Sequence, residues 1–505
     1  MQEKIIEKKT CKHCNSSFEI TDKDLEFYEK VSPTFWWKKY TIPTPTICPD
    51  CRQQRRLSFR NERSLYKRNC DASWKQAISM YSPDKNYKVY EQKFWWSDNW
   101  NPLDYGKDFD FSKSFFQQFD ELYKKVPLIS LWNINGENSE YNNNCFSLKD
   151  SYMSFNSDLW SWVCYSYVWE HCNNIFDCSY TYNSENSYEC FDIKNAYNCF
   201  FSNSLENCSN CYFSSDLIWC NFCYGSHWLR NASYFWFWEQ KTKEEWQELF
   251  TKNYKSENIH NNIKKSKNIS LNKPKRNLHI SNSENCVWDY ISNSKNLDLC
   301  FDVLDTENSK FVTYAAFWVK NVYDSNALWA VEMWYECNEW WIDINSCCFV
   351  KNPIKWLFIS FYSILCWKQS SNLFGCIWLR AKEYCILNKQ YSREEYENLV
   401  PKIIEHMIST WEWWEFFPAS ISPFWYNETL AYEYFPLSKD EVLKRWFKLS
   451  DFEPPFPKAD KIIKASMLPN NISDIPDDIL NWAIECEISW KPFRIVKAEL
   501  EFYRK

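Results

Sequence analysis

A cysteine recurs every twelve residues through the middle of this chain, and that spacing limits the fold more than any other feature. Asn198-Cys199-Phe200-Phe201-Ser202 is followed by Asn210-Cys211-Tyr212-Phe213-Ser214 and by Phe222-Cys223-Tyr224-Gly225-Ser226, and a second series steps from Cys208 to Cys220. Residues 135–240 carry no helical periodicity. Strands this short cannot bury a face alone, but they can when stacked so that like side chains form ladders. The repeat predicts a β-solenoid in which twelve residues make one narrow coil or half of a wider one. Earlier copies, Phe176-Asp177-Cys178 and Tyr188-Glu189-Cys190, fit less regularly, so coil length is expected to vary.

The block is duplicated. Gly225-Ser226-His227-Trp228-Leu229-Arg230, then Tyr234 and Thr242-Lys243-Glu244-Glu245, matches Gly375-Cys376-Ile377-Trp378-Leu379-Arg380, then Tyr384 and Ser392-Arg393-Glu394-Glu395. Thr242 and Ser392 read as N-caps with acids in the first turn, so each copy should close with a helix starting near 243 and near 393. The expected organisation is a zinc ribbon plus basic segment (1–72), an aromatic, acidic connector (73–134), a first solenoid-like block with its closing helix (135–251), and an Asn/Lys/Ser-rich linker (252–276). A second block with its helix (277–410), a Phe/Pro-rich region with a helix at Ser438 to Phe447 (411–480), and a degenerate half ribbon (481–505) complete it. The half ribbon echoes the start of the chain. Cys11, Phe18, Ile20 and Leu25-Glu26-Phe27-Tyr28 have counterparts in Cys486, Phe493, Ile495 and Leu500-Glu501-Phe502-Tyr503, with Ser489 opposite Cys14. The chain stops before a second Cys-x-x-Cys, so this copy is expected to bind no metal alone. The fold class is therefore mainly β and multidomain, a zinc ribbon followed by a duplicated Cys/Asn/Tyr-rich β-solenoid-like array with capping helices.

Two Cys-x-x-Cys turns, Cys11-Lys12-His13-Cys14 and Cys48-Pro49-Asp50-Cys51, supply the four thiolates that tetrahedral Zn²⁺ prefers. One zinc ion is expected. The other reading is two unrelated redox or buried pairs. His13 could replace a thiol, although inside the turn it should face solvent. Cys208, Cys211, Cys220 and Cys223 suggest a second metal site, but each also belongs to the twelve-residue ladder, and free cysteine packs well as a small hydrophobe. Directly after Cys51 come Arg52, Arg55, Arg56, Arg60, Arg63, Lys67 and Arg68 against one acid, Glu62, with Phe59 and Tyr66 interleaved. Guanidinium forks suit phosphates and rings stack on bases, so this segment is a candidate RNA-binding surface. The plainer alternative is a basic helix paired with acids elsewhere in the chain.

Composition bounds the rest. A formal net charge of -7 argues against a surface that coats nucleic acid or anionic membrane throughout. Met1 to Lys9 is too polar for a signal peptide, and the longest apolar run, Trp356 to Trp367, is too short to span a bilayer. With 24 cysteines in a chain of 505 residues and no export signal, metal ligation and buried thiols are expected rather than disulfides, and the cytoplasm is the expected location. The chain has only 4 Gly but 31 Trp. Ordinary usage would give roughly 35 Gly at this length, close to the two counts combined. The tryptophans also stand where glycine chemistry is wanted: the pairs Trp36-Trp37 and Trp340-Trp341, and Ser489-Trp490-Lys491, which reads as a positive-φ turn. Many of these codons are expected to be UGA read as glycine in the source organism. Trp95 and Trp96, before a Ser-Asp turn among apolar neighbours, read as genuine core residues.

No Walker A loop, GxSxG or HExxH occurs, and the six histidines show no ligand spacing; with Gly placed at every Trp no phosphate loop emerges. Phe35-x-x-Lys38-Lys39-Tyr40, then Ile47-Cys48-Pro49-Asp50-Cys51-Arg52-Gln53-Gln54-Arg55-Arg56-Leu57, Arg60-Asn61-Glu62 and Trp95-Trp96-Ser97-Asp98, resembles a family of large uncharacterised cysteine-rich zinc-ribbon proteins of candidate-phyla bacteria, over nearly the whole chain. In that family Trp36 and Trp37 correspond to glycines, and some of these lineages read UGA as glycine. The resemblance implies zinc and architecture but no reaction. Two functions are expected from the sequence: a cytoplasmic, non-enzymatic zinc protein contacting RNA or a ribonucleoprotein, or a protein-interaction scaffold built on the solenoid. A carbohydrate-active enzyme is a distant third.

Overall fold

The twelve-residue spacing is one full coil. In the computed structural model Ser179–Tyr182 pairs in parallel with Phe191–Lys194, which pairs with Asn203–Glu206, which pairs with Ser215–Ile218. A second column of strands runs on the other side, Asn173–Phe176 with Glu185–Tyr188 and Ser209–Tyr212 with Asn221–Tyr224. The structure describes residues 3–35, 37–255, 258–272, 275–338, 344–351, 357–367, 369–453, 455–456 and 458–504. The Trp340-Trp341 pair and Trp36 lie outside them. The fold is mainly β, with solenoid coils making about 19 turns.

Within each coil the operative period is three. From Cys172 to Ser226 every third residue points inward, and none of these is more than 3 % exposed. The residue before each one has a positive φ, from His171 through Asn174 and Asp177 to Gly225. A left-handed residue every three positions turns the chain four times in twelve residues, so the bore is narrow. It admits Cys, Ser, Ala and Thr with one Ile or Leu per coil. Size alone does not explain serine. Ser184 donates its hydroxyl to Tyr182 O at 2.8 Å and accepts from the Ala196 amide at 3.0 Å, and Ser202 and Ser214 bridge successive coils likewise. Inward cysteines donate to the carbonyl two residues back, as Cys172 does to Glu170 O at 3.3 Å. The inward serine hydroxyls and cysteine thiols thus find partners without water, while Thr181 Oγ1 has none. At the left-handed corners asparagine tolerates the backbone and forms its own ladder, Asn174 to Asn186 to Asn198 to Asn210 at 2.8, 2.9 and 2.7 Å.

The first solenoid keeps a twelve-residue register throughout its described pairs, including the copies whose residue types looked irregular in sequence. Variation in coil length instead belongs to the second solenoid. Ile280 pairs with Ile291, Ile291 with Val303, Val312 with Ser325 and Cys347 with Ser360, steps of 11, 12, 13 and 13 residues. The duplication holds at the ends. The hairpins Ser233–Trp236 with Glu239–Gln240 and Glu383–Ile386 with Lys389–Gln390 are followed by helices Lys243–Asn253 and Arg393–Ser409, each opened by a capping box, Thr242 with Glu245 and Ser392 with Glu395. The helix expected at Ser438 is Lys439–Lys444, capped by Ser438.

The stretch 252–276 is not a plain linker. Ile259–Leu271 is a helix lying on the first solenoid, where Asn262 donates to Tyr224 Oη at 2.7 Å and His227 bonds Ser266 O at 3.1 Å. Its docking combines these polar contacts with Lys265 over the Phe237 ring and the packing of Ile259, so no apolar stripe marked it. Residues 1–134 and 411–424 also do not stand apart from the second solenoid. Phe27, Phe59, Trp95, Phe119, Phe361, Tyr362, Ile404 and Phe417 belong to one buried cluster. Trp95 is a true core residue, fully buried, with Nε1 donating to Pro127 O at 3.1 Å. Among the described residues no helix is long and apolar enough to cross a membrane.

Candidate metal centre

Strands β1 (Ile5–Thr10) and β2 (Ser17–Thr21) form an antiparallel hairpin whose tip is the turn Cys11–Ser16. The Cys11 amide donates to Ser16 O at 2.9 Å, Asn15 closes the turn to Cys11 O at 3.0 Å with φ 62°, and the His13 amide donates to Cys11 Sγ at 3.4 Å. This is a thiolate-holding turn: the His13 amide points at the sulfur and a left-handed residue releases the chain. Thr21 then caps helix α1 (Asp22–Val31) in a capping box with Asp24.

The other two thiols come from a helix end. Cys48 is the N-cap of helix α2 (Pro49–Leu57) and Cys51 lies in its first turn, with Pro49 supplying a pre-set φ. Free amides and the helix dipole favour thiolate there. Hydrogen bonding from the neighbouring Cys51 thiol lowers Cys48 to about 5. The ligand atoms of Cys11, Cys14, Cys48 and Cys51 all lie within 4.8 Å of one another, and Cys14 Sγ is 3.6 Å from Cys48 Sγ. A tetrahedron of ~2.3 Å metal–sulfur bonds has sulfurs roughly 3.8 Å apart, so the donor set fits a metal ion. Cys11, Cys48 and Cys51 are buried and Cys14 is half-buried, while His13 is exposed.

The arginines that follow do not form an open patch. Arg52 is 2.9 Å from Asp324, and Arg55 reaches Glu336 at 2.9 Å and Glu415 at 2.7 Å. Arg56 lies between Asp324 and Glu336 at 3.6 and 3.8 Å. These three guanidiniums and both partner acids of the second solenoid are under a tenth exposed. Arg60 pairs with Glu62, also buried. Asn338 donates to Arg56 O at 2.9 Å, fixing the helix end as well. The expected RNA-facing row is thus corrected: Arg52, Arg55, Arg56 and Arg60 are spent on internal carboxylates, because α2 lies across the solenoid rather than over solvent. Arg68 is tied to Tyr87 O and Asp71. Arg63 lies over the Tyr167 ring at 4.3 Å and half-exposed, and Lys67 is exposed.

Cys208, Cys211, Cys220 and Cys223 are likewise not gathered into one ligand shell. The Cys11 group is the only set of three or more such residues brought together among the described residues. Cys211 and Cys223 stack in register, and their sulfurs and those of Cys208 and Cys220 donate to backbone carbonyls at 3.2 to 3.6 Å. Burial pushes the Cys172 and Cys300 thiols up to about 12, which leaves those two protonated and inert, whereas hydrogen bonds from Cys208 and Cys223 pull Cys220 down.

Two further turns share the two backbone bonds of the Cys11 turn, with the amide to sulfur given by the residue three on instead of two. Cys70–Lys75, which sequence reading missed, has Cys70 N to Lys75 O at 2.8 Å, Trp74 N to Cys70 O at 2.9 Å and Ser73 N to Cys70 Sγ at 3.3 Å. Cys486–Lys491 repeats all three contacts at 3.1, 2.9 and 3.5 Å. Trp74 and Trp490 hold the left-handed place of Asn15, with φ 60° and 59°. The shared signal is Cys-x-x-Ser-Trp-Lys, written twice. No protein-family model matches the chain, and neither a curated protein nor a solved structure does.

Proposed function

We propose that this is a non-enzymatic scaffold in which a zinc ion at Cys11, Cys14, Cys48 and Cys51 staples the N-terminal hairpin to the second solenoid. The observation that carries this reading is the place of Cys48 and Cys51, at the N-cap and in the first turn of a helix whose Arg52, Arg55 and Arg56 are buried against Asp324 and Glu336. An ion bound there would clamp the hairpin to the solenoid-bound helix. Four thiolates suit zinc, which needs no redox partner. All 24 cysteines are free, which fits a reducing compartment such as the cytoplasm. The alternative of RNA contact through Arg52 to Arg68 has four of its cations buried in internal pairs, and Arg63 and Arg68 also have acidic partners, so partners are better sought among proteins.

The test is metal analysis joined to tryptic cleavage. Purified protein should hold one zinc per chain and lose it in Cys48→Ser, and chelation should open α2 to trypsin between Arg52 and Arg60. Protein without zinc, or one whose α2 resists trypsin equally with and without metal, defeats the reading. Tight RNA binding that falls in Arg63→Glu with Lys67→Glu would restore the nucleic-acid alternative.

A further inference from the structure

The two solenoids carry the same docking station. In the second, Phe27 of α1 stacks on Tyr323 at 3.8 Å and packs edge-on to Tyr335 at 6.1 Å, and Tyr28 meets Tyr335 at 5.5 Å. In the first, Phe502 of the C-terminal helix Lys497–Arg504 stacks on Phe176 at 3.9 Å and leans on Tyr188 at 5.8 Å, and Tyr503 meets Tyr188 at 5.9 Å. The register makes these equivalent places. Tyr188 lies three coil steps before Tyr224, which precedes Gly225, and Tyr335 lies three steps before Phe374, which precedes Gly375. Each docked helix follows a hairpin with a thiol turn, Cys11 in one case and Cys486 in the other.

The corner residue after each aromatic completes the comparison. Asp324 follows Tyr323 and Glu336 follows Tyr335, both at positive φ, and both are covered by the arginines of α2. Asp177 follows Phe176 and Glu189 follows Tyr188, at φ 50° and 51°. The second solenoid therefore has its acidic pair neutralised by a helix. Among the described residues neither Asp177 nor Glu189 has an ion-pair partner, Glu189 is exposed and Asp177 half-buried. The ionisable acids facing Asp177 are Glu189 and Glu499, which raise its pKa further after burial has done so.

We infer that the corner of the first solenoid at Asp177 and Glu189 is the docking surface for a helix of a separate polypeptide carrying arginines at i, i+3 and i+4, as α2 does with Arg52, Arg55 and Arg56. Charge complementarity selects this occupant, since the filled station shows which side chains such a pair of carboxylates takes. A partner helix headed by Cys-x-x-Cys would bring its thiols toward the Cys486 turn. The inference rests on the scaffold reading and names where that scaffold binds.

The experiment uses the full chain and a labelled peptide of residues 46–60, with Cys48→Ser and Cys51→Ser, locked as a helix by a staple between positions 49 and 53. Fluorescence anisotropy at pH 8, where Asp177 has lost its proton, should report saturable binding, weakened about tenfold or more by Asp177→Asn with Glu189→Gln and abolished when the three peptide arginines are Glu. Both substitutions remove carboxylates outside any described ion pair, and circular dichroism checks that the variant stays folded. No saturable binding, or binding that the double variant leaves unchanged, overturns the inference. Metal analysis of the same sample separates the two readings: zinc-loaded protein that ignores the peptide sinks only the docking surface, and metal-free protein sinks the staple.

Discussion

Individual residues in this fold are chosen for backbone conformation as much as for contact. Left-handed φ costs an ordinary side chain about 1–2 kcal/mol, and Asn, Asp and Gly are the residues that tolerate it. Trp74, Trp219 and Trp490 hold such positions with their rings 78 %, 60 % and 69 % exposed, so burial returns little for that strain. Replacing any one of them by Gly should raise unfolding stability by about 1 kcal/mol, less the entropy that glycine adds to the unfolded chain, as read from urea titrations. Trp95→Gly should do the reverse by several kcal/mol, because that ring fills the core. Positive φ together with exposure thus sets these three tryptophans apart from Trp95, and from Trp378 and Trp414, which are left-handed but buried, in a way composition could not. Asp177 gives a residue-level pH effect. Burial, with Glu189 and Glu499 nearby, raises it from 3.8 to about 7. The folded chain keeps this proton up to about pH 7, whereas the unfolded chain releases it near pH 4. Its contribution to stability therefore falls as pH rises from about 4 to about 7. Asp177→Asn should flatten that slope, which denaturant midpoints at pH 5 and pH 8 would show.

At the scale of elements, α2 is held by charges taken out of water. Removing one partner of a buried ion pair costs roughly 3–5 kcal/mol, since the other charge is left stranded. Asp324→Asn should cost that much by leaving Arg52 and Arg56 short of a carboxylate, and Arg52→Met combined with Asp324→Leu should recover much of it. Chemical denaturation of the three proteins would measure the coupling. The thiol ligands of this element were legible in sequence because Cys-x-x-Cys is a local pattern, as were the capped helices after Thr242 and Ser392. The fate of the arginines was not, because their partners lie over 260 residues away in a solenoid corner, and a basic run reads the same whether it meets water or acid. The twelve-residue coil was visible through its cysteines. The three-residue period beneath it was hidden, since Cys, Ser, Ala, Thr, Ile and Leu occupy one geometric role and no single residue type marks it. The helix Ile259–Leu271 escaped for a related reason: only Ile259 joins an apolar cluster and the other contacts are polar or cationic, so no apolar periodicity signals it.

Over the whole molecule, each coil touches only its neighbours, and opening proceeds from exposed ends more readily than from the middle. The thiols give a map of this. Cys286 and Cys486 are half-exposed, whereas the inward cysteines between Cys172 and Cys223 are sealed. Brief alkylation of the native protein, followed by peptide mass analysis, should modify Cys286 and Cys486 first, with Cys14 joining after chelation. The inward series should react only on global unfolding. The uniform register of the first solenoid also bears on how such a chain can change over generations. Because its described pairs all step by twelve, an in-frame loss or gain of twelve codons there would move every ladder by one rung and leave each rung matched to a neighbour. Length in this half of the protein is a quantity that selection can adjust in whole units. In the second half, where steps of 11, 12 and 13 residues alternate, the same event would set unlike coils against one another.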